Sequence, residues 1–211
     1  MTSVLDLAPR LLEPPTRRSY LEQGFARFDG LWDQGYADRL SAEARALMAE
    51  AVPPPSRKPR PPVVAARPEP TSEVTTAVAP ELAALHDSLV PLARALTGRL
   101  MVAAWAVYIY YETDDAVWLH VDTEDCELTL LTTVVGDIGP LHLHPDLWGA
   151  TQDELDALEA SDAWSEQRGI AERYPTLGVL AHHGNHVPHH RPHRAIAEPG
   201  AVAAMHYTSL F

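Results

Sequence analysis

His120 and Asp122 stand two residues apart in Trp118-Leu119-His120-Val121-Asp122, at the end of an apolar run. In an extended strand, residues i and i+2 point to the same face. This spacing therefore sets an imidazole beside a carboxylate, both aimed at one point. A histidine supplied from elsewhere would complete a set of two imidazoles and one carboxylate. Such a set occupies one face of an iron(II) ion and leaves its other positions open. Downstream, His182, His183, His186, His189, His190 and His193 fall within a dozen positions. Only one of them is needed, and most of the six are expected on a polar hairpin. An isolated H-x-D recurs by chance, so its weight comes from its place at the end of a strand that can look into a barrel.

The elements that must hold this pair follow from period and punctuation. Residues 101–112 are rich in Val, Ile, Tyr and Trp, which suits a strand, and 116–122 is a second strand carrying the pair. Further strands are expected at 127–135, 141–144, 177–182, 186–191 and 200–210. Helices are expected at 16–29 and 33–52, where Leu40, Ala44, Leu47 and Met48 recur at helical spacing and Asp33 or Ser41 can cap. Pro80 to Gly98 carries a Leu82, Leu85, Leu89, Leu92, Leu96 stripe, with Pro91 as the place where it can kink. Residues 151–173 are acidic and predict an exposed helix capped by Thr151. Between these lies a Pro-rich stretch, Pro53 to Pro70, that reads as a surface loop or as a basic lid over an anionic substrate.

Helices first and then about seven short strands predict an α+β chain built on a jelly-roll-like barrel, with the N-terminal helices packed outside. A single domain is expected over 1–211: a helical part at 1–52, the Pro-rich loop or lid at 53–80, and the core with its supporting helices at 81–211.

The formal net charge of -13 argues against nucleic-acid binding. No apolar run reaches membrane-spanning length, and Met1 to Pro15 lacks the pattern of a signal peptide. With Cys126 the single cysteine, no internal disulfide can form, which fits a reducing cytoplasm.

His120-x-Asp122-x-x-x-Cys126-Glu127, followed by Val187-Pro188-His189-His190-Arg191 and a terminal His206-Tyr207, resembles the iron(II)/2-oxoglutarate-dependent oxygenases. The similarity is to the small prolyl-hydroxylase-like branch and spans Arg99 to Phe211. The resemblance implies a double-stranded β-helix and iron held by His120, Asp122 and His189, with His183 and His186 as runners-up for the distal ligand. It implies 2-oxoglutarate and O2 as cosubstrates and release of succinate and CO2. The default outcome is hydroxylation of an unactivated C–H on a small molecule, amino acid or peptide. Because Asp122 is present, no ligand position is vacated for chloride. The alternatives are a non-catalytic cupin-like barrel that binds a metal or small molecule, and a cupin-type metal enzyme that does not use 2-oxoglutarate.

One departure bears on the cosubstrate. Many relatives anchor its far carboxylate with a cation at the start of the last strand, where this chain has Glu198-Pro199-Gly200. Arg191, two residues after His189 and so on the same face, is the expected substitute through a bidentate pair, with Arg194 second. Tyr108, Tyr110 or Thr129 is expected to add a hydroxyl, and His206 to lie near the cosubstrate. Glu127 is expected to support a ligand histidine or an arginine. His142 and His144 are expected at the rim, and Trp105 and Trp118 in the core.

Overall fold

The computed structural model describes residues 14–51 and 72–210. The Pro-rich loop or lid at 53–70 thus lies outside the described residues. Helices α1 (Pro14–Gln23) and α2 (Gln34–Leu47) flank strand β1 (Phe25–Phe28). Then come β2 (Ser72–Thr75), α3 (Pro80–Ser88) and α4 (Val90–Thr97), followed by β3 (Met101–Tyr111), β4 (Val117–His120), β5 (Leu128–Val135) and β6 (Pro140–Leu143). The chain closes with α5 (Gln152–Glu159), β7 (Ile170–Arg173), β8 (Val179–His182), β9 (His189–Arg191) and β10 (Gly200–Ser209).

The strands form two antiparallel sheets. The larger has the order β1-β8-β5-β10-β3-β2, and the smaller has the order β4-β9-β6-β7. Strict alternation along the central strands separates two cores. On β10, Ala201, Ala203, Met205 and Tyr207 pack with the leucines of α3 and α4, while Val202 and Ala204 pack inward with Leu131, Leu141 and Tyr174. The helices therefore cover one face of the large sheet, and the inner face lines a cavity.

Several boundaries differ from those read in the sequence. The first helix stops at Gln23, because Gly24 takes a left-handed φ of 78° and the Trp148 ring fills the space a Cβ would need. The chain then pairs as β1 with β8. Pro91 does more than kink its helix. It has no N–H for the Asp87 carbonyl, and the helix divides at Leu89. The acidic helix starts as expected, with a Thr151–Glu154 capping box, but ends at Glu159. Residues 170–173 instead pair as β7 with β6, after Gly169 at φ 92°.

The tyrosines of β3 are a correction. Tyr108 and Tyr110 point away from the cavity into the helical layer: Tyr108 donates to Glu43 Oε1 at 2.8 Å and Tyr110 to the Ala44 carbonyl at 2.8 Å. Glu43 also accepts from the backbone N–H groups of Glu81 and Leu82 at 2.8 and 3.0 Å. It thereby caps α3, whose own N-cap residue, Ala79, offers no side-chain acceptor. Tyr108→Phe should cost about 1.5–3 kcal/mol of stability, since it removes a hydrogen bond to a charged acceptor. Thermal melts would show the loss, and binding of any ligand in the cavity should be unchanged.

Candidate metal centre

His120 is the last residue of β4, and Asp122 follows where the chain leaves the sheet, its N–H donating to the Gly184 carbonyl at 2.9 Å. His189 opens β9 directly opposite His120 in the β4–β9 ladder. Three side chains thus meet: Asp122 Oδ1 lies 3.6 Å from His120 Nε2 and 3.6 Å from His189 Nε2. All three ligand atoms fall within 4.8 Å of one another. Donors held about 2.1 Å from a single ion lie roughly 3–3.6 Å apart, so the set needs little adjustment to close on a metal.

The two imidazoles are aimed by their own strands. His120 Nδ1 donates to the Trp118 carbonyl at 2.9 Å and His189 Nδ1 to the Val187 carbonyl at 3.0 Å. A carbonyl only accepts, so each Nδ1 carries the proton and each Nε2 lone pair is left for a ligand. Burial pushes the His189 pKa down to about 4, which keeps it neutral and able to ligate at neutral pH. Burial works against the charge of Asp122, but its histidine neighbours, His189 first, outweigh it and hold the carboxyl well below the usual range.

Asp122 is also fixed from behind. A row of side chains crosses the large sheet at one level, with His182, Thr129, His206 and Trp105 as successive cross-strand partners. The Thr129 hydroxyl donates to Asp122 Oδ2 at 2.7 Å, and His206 Nδ1 donates to Thr129 Oγ1 at 3.0 Å. Thr129 and His206 thus lie in the site, where their hydrogen bonds run to Asp122. Trp105 stacks on His206, with centroids 3.8 Å apart, and is 39% exposed at the cavity mouth instead of buried in the core. Trp118 is buried. A second ligand set, Asp122 with Cys126 and His206, is geometrically possible. Burial pushes the Cys126 thiol up to about 12, which adds a cost to its binding as a thiolate.

Gly184 is the close approach on which this arrangement depends. A Cβ there would lie within 2.6 Å of Asp122 Oδ2, Thr129 Oγ1 and the Cys126 carbonyl. Gly184→Ala should weaken metal affinity about 10–100-fold through displacement of Asp122. Metal titration of the variant, read beside its melting temperature, would separate this from general unfolding.

Deeper in the barrel, Arg191 lies two residues past His189 and is 1% exposed. Its Nε donates to the Ile138 carbonyl at 2.8 Å, Nη1 donates to the Asp115 carbonyl, and the guanidinium sits 4.4 Å over the Tyr111 ring. Nη2 is buried with no hydrogen-bond partner among the described residues. Because two nitrogens of the guanidinium already serve carbonyls, only Nη2 is left and the guanidinium presents no open fork. Arg194 is not brought in: it is 39% exposed and sits 3.5 Å from Asp137 Oδ2.

The remaining candidates lie outside the cavity. Glu127 holds an arginine, one of its two expected partners: it pairs with Arg99 and accepts from the backbone and hydroxyl of Ser209, away from the ligand histidines. His142 and His144 are buried on the far face of the small sheet. There, His142 donates to the Arg168 carbonyl and His144 Nε2 meets His190 Nδ1 at 2.9 Å, both away from any rim. His183 stacks on Tyr20, and His186 bonds Asn185. Tyr111 and His182, to which the sequence assigns no role, also line the cavity. Alternation along β3 brings Tyr111 to the side of Trp105, but only once Trp105 is known to face the cavity.

No protein-family model matches the chain, and no curated protein matches it in sequence. Solved structures do match. The non-haem α-ketoglutarate-dependent epimerase SnoN from nogalamycin biosynthesis aligns with a TM-score of 0.71 at 17% identity, over 95% of this chain and 84% of that one. The carbocyclase SnoK from the same biosynthesis, also non-haem and α-ketoglutarate dependent, aligns at 0.71 and 15% identity, over 96% and 85%. HygX from Streptomyces hygroscopicus, solved with nickel and 2-oxoglutarate bound, aligns at 0.68 and 14%, over 95% and 88%. What they share with this chain is the fold.

Proposed function

We propose that this chain is an iron(II)- and 2-oxoglutarate-dependent oxygenase that hydroxylates an unactivated C–H of a small molecule, on a double-stranded β-helix. Fold alone does not carry an activity. The observation that carries this one is a pair of buried, unequal ends: one lines the cavity, and the other packs over the Tyr111 ring that lines it. At one end are two imidazoles with proton-locked Nδ1 and one carboxylate. At the other is the Arg191 guanidinium, whose Nη2 is buried with no partner among the described residues. The first is a donor set for iron(II), and the second is a seat for an anion. A dicarboxylic keto acid has the matching ends. The interleaved strand order of the two sheets supports the β-helix.

His120, Asp122 and His189 would hold the iron, and Arg191 Nη2 would hold the far carboxylate of 2-oxoglutarate. Bound there, the iron, 2-oxoglutarate and O2 supply an oxidation that releases succinate and CO2. The chain's own part is positioning. Thr129 and His206 keep Asp122 Oδ2 occupied so that Oδ1 faces the metal. The Tyr111 ring under Arg191 and the apolar walls, Leu131, Leu141 and Val202, exclude water from the anchor. Trp105, half-exposed at the mouth, is where a substrate would first meet the site.

Incubation with iron(II), ascorbate, O2 and 2-oxoglutarate should yield succinate slowly even without a substrate, and Asp122→Ala should yield none. No succinate, with no thermal stabilisation by 2-oxoglutarate, would leave a metal-binding barrel of another class. Among the described residues no helix is long and apolar enough to cross a membrane.

A further inference from the structure

Four imidazoles surround Asp122. Three have their Nδ1 atoms accounted for: His120 by the Trp118 carbonyl, His189 by the Val187 carbonyl and His206 by Thr129. His182 is the exception. Its side chain is fully buried, it lines the cavity, and neither ring nitrogen has a hydrogen-bond partner among the described residues. An unsatisfied buried polar group is destabilising, and a leucine in the same space would carry no such cost.

The backbone gives His182 little freedom to find a partner. It is the last residue of β8, paired on one side with Phe25 of β1 and on the other with Thr129 of β5. Asp122 is not that partner: Nε2 lies 3.9 Å from Oδ2, beyond hydrogen-bond reach, and Oδ2 already accepts from Thr129. Nor does the ring join the ligand set. The metal donors converge on Asp122 Oδ1, whereas His182 faces Oδ2 and packs edge-on against the His189 ring with centroids 4.5 Å apart. What remains is a neutral imidazole, one donor and one acceptor, pointed into the cavity beside the metal position.

We propose that His182 is a binding residue for 2-oxoglutarate, donating a hydrogen bond to the keto-acid end that would sit on the metal, while Arg191 holds the opposite end. This rests on the iron(II)/2-oxoglutarate reading of the site. It assigns the cosubstrate two protein contacts besides the metal, on opposite sheets: Arg191 on β9 and His182 on β8.

The test is an anaerobic titration of the iron(II)-loaded protein with 2-oxoglutarate, following the visible chelate band in the wild type, His182→Leu and His182→Gln. In His182→Leu the 2-oxoglutarate Kd should rise about tenfold, the worth of one hydrogen bond. The band should also move, and the iron Kd should stay unchanged. His182→Gln keeps an N–H donor and should recover most of the affinity. If His182→Leu does not fold, the wild type still decides: proton NMR of the cobalt(II) protein should show one further imidazole N–H protected from exchange when 2-oxoglutarate is added. A wild-type Kd and band in His182→Leu, or no newly protected N–H, overturns the proposal. So does a loss of iron affinity as large as the loss of 2-oxoglutarate affinity, since His182 would then be holding Asp122 or the metal. A wild type with no band at all overturns the reading of the site itself, a result distinct from either.

Discussion

Arg191→Gln should raise the 2-oxoglutarate concentration for half-maximal turnover by roughly a hundredfold while iron affinity stays within a few-fold of wild type. A hydrogen bond to a charged group contributes about 1.5–3 kcal/mol, and this one is formed out of water, where the upper end applies. The guanidinium is held by the Ile138 and Asp115 carbonyls and by the Tyr111 face, so Nη2 is positioned before any ligand arrives. Such preorganisation lowers the ordering cost of binding. Arg191→Lys should recover only part of the loss, since an ammonium keeps the charge but cannot serve two carbonyls and a ligand in one plane. Arg194→Gln should change little, because Arg194 faces Asp137 at the surface. Melting curves must accompany the kinetics, because Arg191→Gln also strips two buried carbonyls of a donor. A wild-type response from Arg191→Gln would remove Arg191 from the site.

The second large effect concerns the metal itself. His120→Ala, Asp122→Ala and His189→Ala should each weaken iron binding by more than roughly a hundredfold, exceeding the loss typical of a group that only supports a ligand. His183→Ala and His186→Ala should leave it intact, since these rings lie against Tyr20 and Trp148 on the outside. Iron content after anaerobic reconstitution, measured for all five variants, separates the two groups. Retention of iron by His189→Ala would mean that another histidine completes the set.

That His120 and Asp122 converge, and that Arg191 follows the side of His189, could be read from the sequence because two-residue spacing in extended chain has one geometric meaning, while His189 itself came from the family resemblance. Which face of β3 looks inward could not. Both faces of that strand carry large apolar and aromatic residues, as a sheet buried on both sides requires, so alternation marks no inside. The sequence therefore leaves Tyr108 and Tyr110 as candidates for the cavity, which Trp105 and Tyr111 line instead. The edge strands were hidden for the opposite reason. β7 is Ile-Ala-Glu-Arg with mostly exposed side chains, and its polar composition continued that of α5. β1 depends on the Gly24 break and on pairing with β8, more than 150 residues away, which no local pattern carries. His182 was one histidine among six, and its lack of partners is visible only once β8 is placed beside β5.

The most direct test of the central claim is an anaerobic titration of the purified protein with iron(II) and then 2-oxoglutarate, watched in the visible range. The account predicts a broad charge-transfer band that saturates at one equivalent per chain and is absent from Asp122→Ala. It also predicts that Arg191→Gln needs roughly a hundredfold more 2-oxoglutarate to reach that band. Iron binding with no band at any 2-oxoglutarate concentration would contradict it.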